Sequence, residues 1–142
     1  MAEQAVAKKP LPIVPYLKVP EAGEPYLEGF KCSGCGAVTL RQRTACANCG
    51  GRKSLQPQRL SDQGKLHVFS ITHRSFPGIP VPFISAVADL DGGGSIKTNL
   101  VGVDPDPEKI KMGMRVRVEF EVAPRKDREG NEYMTFYLRP AN

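Results

Sequence analysis

Hydrophobic and polar residues alternate strictly from Arg115 to Val122, with Val116, Val118, Phe120 and Val122 on one side and Arg115, Arg117, Glu119 and Glu121 on the other. A period of two sends successive side chains to opposite faces of an extended chain, so this segment is expected to be a strand with one face in a core and one in water. Tyr133 to Arg139 repeats the pattern, setting Met134, Phe136 and Leu138 against Tyr133, Thr135 and Tyr137 after a turn at Arg128-Glu-Gly-Asn131. Upstream, Leu66 to Phe76 is rich in β-formers, Phe83 to Leu90 reads Phe-Ile-Ser-Ala-Val-Ala-Asp-Leu, and Ser95 to Val103 follows the turn Asp91-Gly-Gly-Gly94. Between the third and fourth of these segments, Asp104 to Lys111 has room for one short helical turn begun by a capping Asp and a proline. Five strands with a short helical or irregular link between the third and fourth follow the order of an OB barrel, which closes the sheet on itself.

Ahead of the strands the pattern changes. Residues 1 to 29 contain Pro10, Pro12, Pro15, Pro20 and Pro25, with apolar Leu11, Ile13, Val14, Tyr16, Leu17 and Tyr26 between them. Proline at that density forbids a long helix and favours an extended arm. A disordered tail is expected for residues 1 to 9, and for the remainder a strap lying either on its own domain or on a partner. The expected organisation is mainly β: a proline-rich arm over 1–29, a cysteine-bearing ribbon over 30–57 and a five-stranded OB-fold domain over 58–142.

The ribbon carries the most specific chemistry. Cys32-Ser-Gly-Cys35 and Cys46-Ala-Asn-Cys49 stand ten residues apart and hold all four cysteines of the chain. A two-residue spacer lets both thiolates of a pair face one ion from a tight turn, and two such turns supply a closed tetrahedral set of sulfurs. One structural zinc ion is expected, held by Cys32, Cys35, Cys46 and Cys49. Spacing alone does not separate it from a rubredoxin-like iron centre. Four protein ligands leave no open position, so the metal is expected to fold the ribbon and to take no part in catalysis. Met1 is followed by neither a basic n-region nor an apolar h-region, and no apolar run is long enough to span a membrane, so a reducing cytoplasm is the expected setting.

The formal net charge is +5 at a sequence pI near 9.1, which raises the question of nucleic acid. Its distribution changes the picture. Residues 30 to 60 hold Lys31, Arg41, Arg43, Arg52, Lys53 and Arg59 with no Asp or Glu, while the segments 61 to 103 and 104 to 142 each balance. Four thiolates and one divalent ion would add about −2 to the ribbon. What remains is a local patch suited to a few phosphates and too modest to track a long polyanion.

An arm ending in Tyr26-Leu-Glu-Gly-Phe-Lys31, two Cys-x-x-Cys knuckles, and an OB barrel with Met112-Gly-Met-Arg-Val116 before its fourth strand together resemble the family catalogued as domain of unknown function thirty-five. The resemblance covers about residues 11 to 139, and the order ribbon then barrel is its specific part. It implies a non-catalytic subunit of a thiolase, acyltransferase or retro-aldolase acting on acyl-CoA esters, in a hetero-oligomer whose active-site cysteine and histidines belong to a thiolase-like partner. The residues agree in one respect: with all four cysteines committed to metal, none is left as an acyl-carrying nucleophile. In that setting Arg41, Arg43, Arg52 and Lys53 are candidates for binding the phosphates of coenzyme A, shared with the partner. The other reading of these four side chains is solvated surface, or contact with acidic residues of the partner. The loop Ser75-Phe-Pro-Gly-Ile-Pro-Val-Pro82 is expected to be stiff, and suits an apolar wall beside the pantetheine arm, a docking surface or a plain linker.

Two other classes are weaker. His67 and His73, six apart on the first barrel strand, would share a face with Phe69 and Ile71 and so flank packed apolar groups rather than carry acid–base work. Gly92-Gly-Gly94 reads as a hairpin turn rather than a nucleotide loop. Single-stranded nucleic acid is the alternative partner, with Phe69, Phe76, Phe83, Tyr133, Phe136 and Tyr137 as candidate stacking residues, Phe136 already assigned to the core by alternation and Tyr133 and Tyr137 to an exposed face.

Overall fold

The computed structural model describes residues 9–141. The tail expected over residues 1 to 9 lies outside them except for Lys9. Ten strands and no helix are present among the described residues. Five of the strands make the barrel: β6 (Gln63–Thr72), β7 (Phe83–Leu90), β8 (Ser95–Leu100), β9 (Arg115–Val122) and β10 (Tyr133–Pro140). The first three form an antiparallel meander, β9 pairs with the start of β6 and with β10, and β10 meets β8 in parallel at Leu138 and Leu100. That last contact closes the barrel, with Val101 N–H donating to Leu138 C=O at 2.8 Å and the Thr98 hydroxyl to Phe136 C=O at 2.7 Å.

The alternating positions fill the interior as expected. Ile84, Ala86, Ala88, Leu90, Ile96, Val116, Val118, Phe136 and Leu138 are all buried. On β9 the inward series fades: Phe120 is half-buried and Val122 is 41 % exposed, because the strand runs on past the packed interior. Tyr133 and Tyr137 are half-buried rather than exposed. The link after β8 forms a hydrogen-bonded turn and no helix: Asp106, not Asp104, accepts from Glu108 N–H at 2.9 Å, and Asp104 instead pairs with Lys109 at 2.6 Å. Ile110, 3 % exposed, anchors this turn to the core.

The first barrel strand differs from its expected course. It ends at Thr72, four residues short of Phe76, and a bulge intervenes where Leu66 faces Ala88 but Val68 faces Val87. One extra residue reverses the in–out phase. Leu66 points inward before the bulge and Phe69 and Ile71 pack inward after it, so His67 lies on the outer surface and His73 lies beyond the strand. The expected face shared by His67, His73, Phe69 and Ile71 does not exist.

The arm lies on its own domain. β1 (Leu11–Pro12) adds in parallel to β10 at Tyr133 and Met134, on the edge that β8 occupies further along at Leu138. Leu11 N–H donates to Glu132 C=O at 2.9 Å and Ile13 N–H to Met134 C=O at 3.0 Å. The Tyr16 ring meets Phe136 edge-on at 6.0 Å, and Leu17, fully buried, opens β2 (Leu17–Lys18) against β3 (Tyr26–Cys32). β3 runs directly into the first cysteine and carries β4 (Val38–Thr39) and β5 (Leu55–Arg59) as antiparallel neighbours.

Ribbon and barrel meet at the tip of the β7–β8 hairpin. A Cβ on Gly93 would stand 2.6 Å from Val38 Cγ2, so only glycine permits this approach. Leu27 and Leu60 complete the seam, both buried in the one core cluster that also holds the barrel residues.

The β9–β10 connection is ordered by Asp127. Its carboxylate accepts from the side chain and backbone of Asn131, from the Tyr133 hydroxyl at 2.9 Å and from Glu129 N–H at 2.9 Å, which holds its pKa down to about 2. A depressed folded-state value means the contribution is whole above the ordinary 3.8 and disappears as pH falls through 2. The unfolding midpoint of the wild type is therefore expected to converge on that of Asp127→Ala between pH 4 and pH 2 in urea titrations. A gap that persists unchanged to pH 2 would contradict this role.

Candidate metal centre and basic cleft

Both knuckles fold by the same local device. Gly36 N–H donates to Cys32 C=O at 2.9 Å and Gly50 N–H to Cys46 C=O at 2.8 Å. Each glycine follows the second cysteine of its pair with φ of +79° and +76°, where a side chain would be strained. The turns bring the sulfurs of Cys32, Cys35, Cys46 and Cys49 within 4.8 Å of one another. Across the two knuckles Cys32 lies 3.7 Å from Cys49 and Cys35 3.7 Å from Cys46. Metal–sulfur bonds of about 2.3 Å in a tetrahedron place sulfurs about 3.8 Å apart, so the four thiols can hold one ion.

The surroundings supply donors to sulfur. Asn48 N–H points at Cys46 Sγ and Gly51 N–H at Cys49 Sγ, each at 3.4 Å, and the Ser54 hydroxyl lies 3.2 Å from Cys32 Sγ. Ser54 and then the Cys35 backbone N–H bring the Cys32 thiol down to about 6. The Asn48 side chain lowers Cys35. Cys49 goes the other way, to about 11, because the neighbouring Cys35 and Cys32 sulfurs outweigh the Gly51 N–H that pulls it down. Sulfurs this close cannot all carry charge unaided, and a divalent cation at their centre removes the conflict. Ser54 was not visible as part of the site in the sequence, since a serine five residues past Cys49 has no signature spacing.

Three of the four basic candidates come together beside this centre. Arg43, Arg52 and Lys53 line a cleft of about 680 Å³ with Gln42, Thr44 and Leu55. An isolated bridge between Ala45 and Arg52 and a 3.3 Å bond from Lys53 N–H to Thr44 C=O tie its two walls. Arg41 sits apart, in an adjoining groove of about 580 Å³ floored by Val14, Tyr16, Phe30 and Leu40 and edged by Lys18 and Glu28; Gln42 lines both spaces. None of the four cations is ion-paired among the described residues. Arg59, sixth in the basic run, is engaged over the Tyr26 ring at 4.7 Å and lies in a different cleft. The apolar floor was missed in the sequence because it joins residues of the arm, β3 and the ribbon that share no local pattern.

The other candidates disperse. His67 Nδ1 lies 3.0 Å from Asp89 Oδ2, and the Ser95 hydroxyl donates to Asp89 Oδ1 at 2.6 Å. Serine and histidine share a carboxylate without meeting each other, so no nucleophile–base pair forms. Gly92 to Gly94 is the expected hairpin turn, with Leu90 N–H donating to Gly94 C=O at 2.8 Å. Of the aromatic residues, Phe136 is buried and Phe69, Phe83, Tyr133 and Tyr137 are half-buried; Phe76 alone stands out, at 80 % exposure. The loop from Ser75 to Pro82 leads into the start of β7, whereas the ribbon packs at that strand's other end. Eight residues of strand, about 25 Å, separate the two. None of the loop's residues lines the basic cleft or the adjoining groove. No helix among the described residues is long and apolar enough to cross a membrane.

Comparison with known proteins gives consistent results. Residues 57–121 match the family described as ChsH2, C-terminal OB-fold domain. A DUF35 domain-containing scaffold protein of Pyrococcus furiosus is 32 % identical over 108 residues, covering 75 % of this chain and 74 % of the relative. The benzoylsuccinyl-CoA thiolase subunit BbsA of Thauera aromatica is 31 % identical over 110 residues, covering 72 % of this chain and 76 % of that protein. Among solved structures, the Ltp2-ChsH2(DUF35) aldolase is similar in fold, with a TM-score of 0.64 over 82 % of this chain and 86 % of the other, at 24 % identity.

Proposed function

Because the chain belongs to the DUF35 family, we propose that it is a non-catalytic, zinc-binding subunit of a cytoplasmic, heteromeric thiolase-like enzyme acting on acyl-CoA esters. The observation that carries this reading is the gathering of all four cysteines into one cluster, which leaves the chain without a thiol to accept an acyl group. Zinc suits a closed sulfur set with no redox duty, and its part is to hold the ribbon. The naming of a related protein as a thiolase subunit supports the partner class.

Within that assembly the basic cleft is read as a seat for the phosphate-bearing end of coenzyme A. Arg43, Arg52 and Lys53 offer charge-assisted donors to phosphate, and Arg41 reaches from the adjoining groove, whose apolar floor suits a less polar part of the same ligand. Lys and Arg without carboxylate partners are free to meet an anion. Acyl transfer itself is assigned to the partner.

The combined charge reversal Arg43→Glu and Arg52→Glu is expected to raise KM for acyl-CoA about tenfold or more in the reconstituted complex, with kcat little changed. Unchanged KM with an intact complex would remove the cleft from substrate binding. Single-stranded nucleic acid is the second reading, and one freely exposed aromatic offers it less support than a row of stacking rings would.

A further inference from the structure

We propose that the tip of the β6–β7 loop is the knob by which this chain docks on its thiolase-like partner, entering an apolar pocket rimmed by carboxylates. The inference rests on the preceding reading for the identity of the partner and adds the surface it uses. Phe76 is 80 % exposed, Ile79 39 % and Val81 44 %, so this loop gathers three of the exposed large apolar side chains among the described residues. Isolated exposed apolar residues are ordinary, but three within six positions on one projection are not.

The knob is also held in shape. Ile79 N–H donates to Phe76 C=O at 3.2 Å across Pro77 and Gly78, and Gly78 takes a φ of 87°, the geometry of a proline-initiated reverse turn. The Arg125 guanidinium, from the connection that Asp127 orders, donates to Gly78 C=O. Pro77, Pro80 and Pro82 remove further backbone freedom. Ordering an apolar projection in advance lowers the entropy lost when it is buried, which benefits a contact and does nothing for a solvated linker.

Charge selects the kind of pocket. Arg74 precedes the knob and Arg125 grips it, and neither is paired with a carboxylate among the described residues. A pocket with acidic groups at its mouth would meet both. A second copy of this chain is a poorer occupant. Its groove at Val14 and Phe30 sets Lys18 and Arg41 against the one carboxylate of Glu28, and although the cleft beside Phe120 carries Glu24 and Asp62, its Glu119 is already held by Arg117 and Arg139 and Arg59 shares the same space. Such a head-to-tail contact would also propagate without closing. Aliphatic Ile79 and Val81 have no ring to stack on a base, which disfavours a nucleic acid strand.

The test is affinity of the purified chain for the thiolase-like subunit from the same organism, compared between wild type and Phe76→Asp with Ile79→Asp. A loss of about thirtyfold or more is expected, as for a central anchor. Metal content should not change and the urea midpoint only slightly, because Phe76 is 80 % exposed and Ile79 39 %. Arg74→Glu should weaken binding further at low salt than at high salt. If the wild type binds and the double variant binds within twofold, the docking surface is wrong while the subunit reading stands. If the wild type binds no thiolase-like subunit at all, both fall. Loss of self-association or of oligonucleotide binding in the double variant, with subunit binding intact, would likewise overturn the proposal.

Discussion

Replacing Cys46 and Cys49 together with serine is expected to take the bound metal from one ion per chain to none and to melt the ribbon while the barrel stays folded. The second knuckle has little else to hold it: among named strands, residues 40 to 54 contribute none, and their order rests on short turns and on one isolated bridge between Ala45 and Arg52. Structural zinc contributes an apparent ~10–16 kcal/mol in isolated finger peptides, far more than such turns can supply. The barrel has its own closure at Leu138 and Leu100, and every buried member of the core cluster lies outside residues 33–54, so the loss should remain local. Metal analysis and amide exchange would read this directly, with protection vanishing over residues 33–54 and persisting over 84–90 and 116–122. A colourless wild-type protein with one zinc would identify the ion; visible absorption would mark iron in its place. Retention of the metal by the double variant would show that the four sulfurs are not its ligands.

Leu17→Ala should cost about 2–5 kcal/mol of unfolding free energy, an amount usual for a leucine deep in a domain core. This leucine belongs to the proline-rich arm, where the sequence suggests only an extended strap. Yet its side chain is fully buried and lies in the same cluster as Leu27, Val116 and Leu138. Leu11→Ala, at a side chain 45 % exposed, provides the contrast and should cost far less. Equal midpoints for Leu17→Ala and the wild type in urea denaturation would mean that the arm is an accessory to the fold and not part of it.

The barrel was legible wherever one face of a strand is core and the other water. Phe83–Leu90 and Arg115–Val122 take the bounds expected from alternation, because Ile84, Ala86, Ala88 and Val116 each had to face inward. The bulge at His67 was not legible: alternation assumes one partner per residue, and nothing in Leu-His-Val announces an additional one. The arm was ambiguous for a related reason. Its partner edge on β10 is created by the incomplete meeting of β8 and β10, a property of closure that no local segment encodes. The gathering of Cys32, Cys35, Cys46 and Cys49 was readable because two Cys-x-x-Cys turns depend on spacing along the chain. The cleft was half readable, since Arg43, Arg52 and Lys53 are close in sequence, whereas Arg41, two residues before Arg43, lines the adjoining groove instead.

The hairpin of β6 and β7 gives the chain a fixed internal length. One end of β7 carries the apolar loop and the other abuts the cysteine ribbon through Gly93, with eight hydrogen-bonded residues between. A strand cannot stretch, and a register slip of one residue would turn Ile84, Ala86 and Ala88 out of the core. Whatever grips the loop therefore sets the position of the basic cleft as a rigid strut would. The separation between them holds for as long as the barrel is folded and the two cysteine turns are closed.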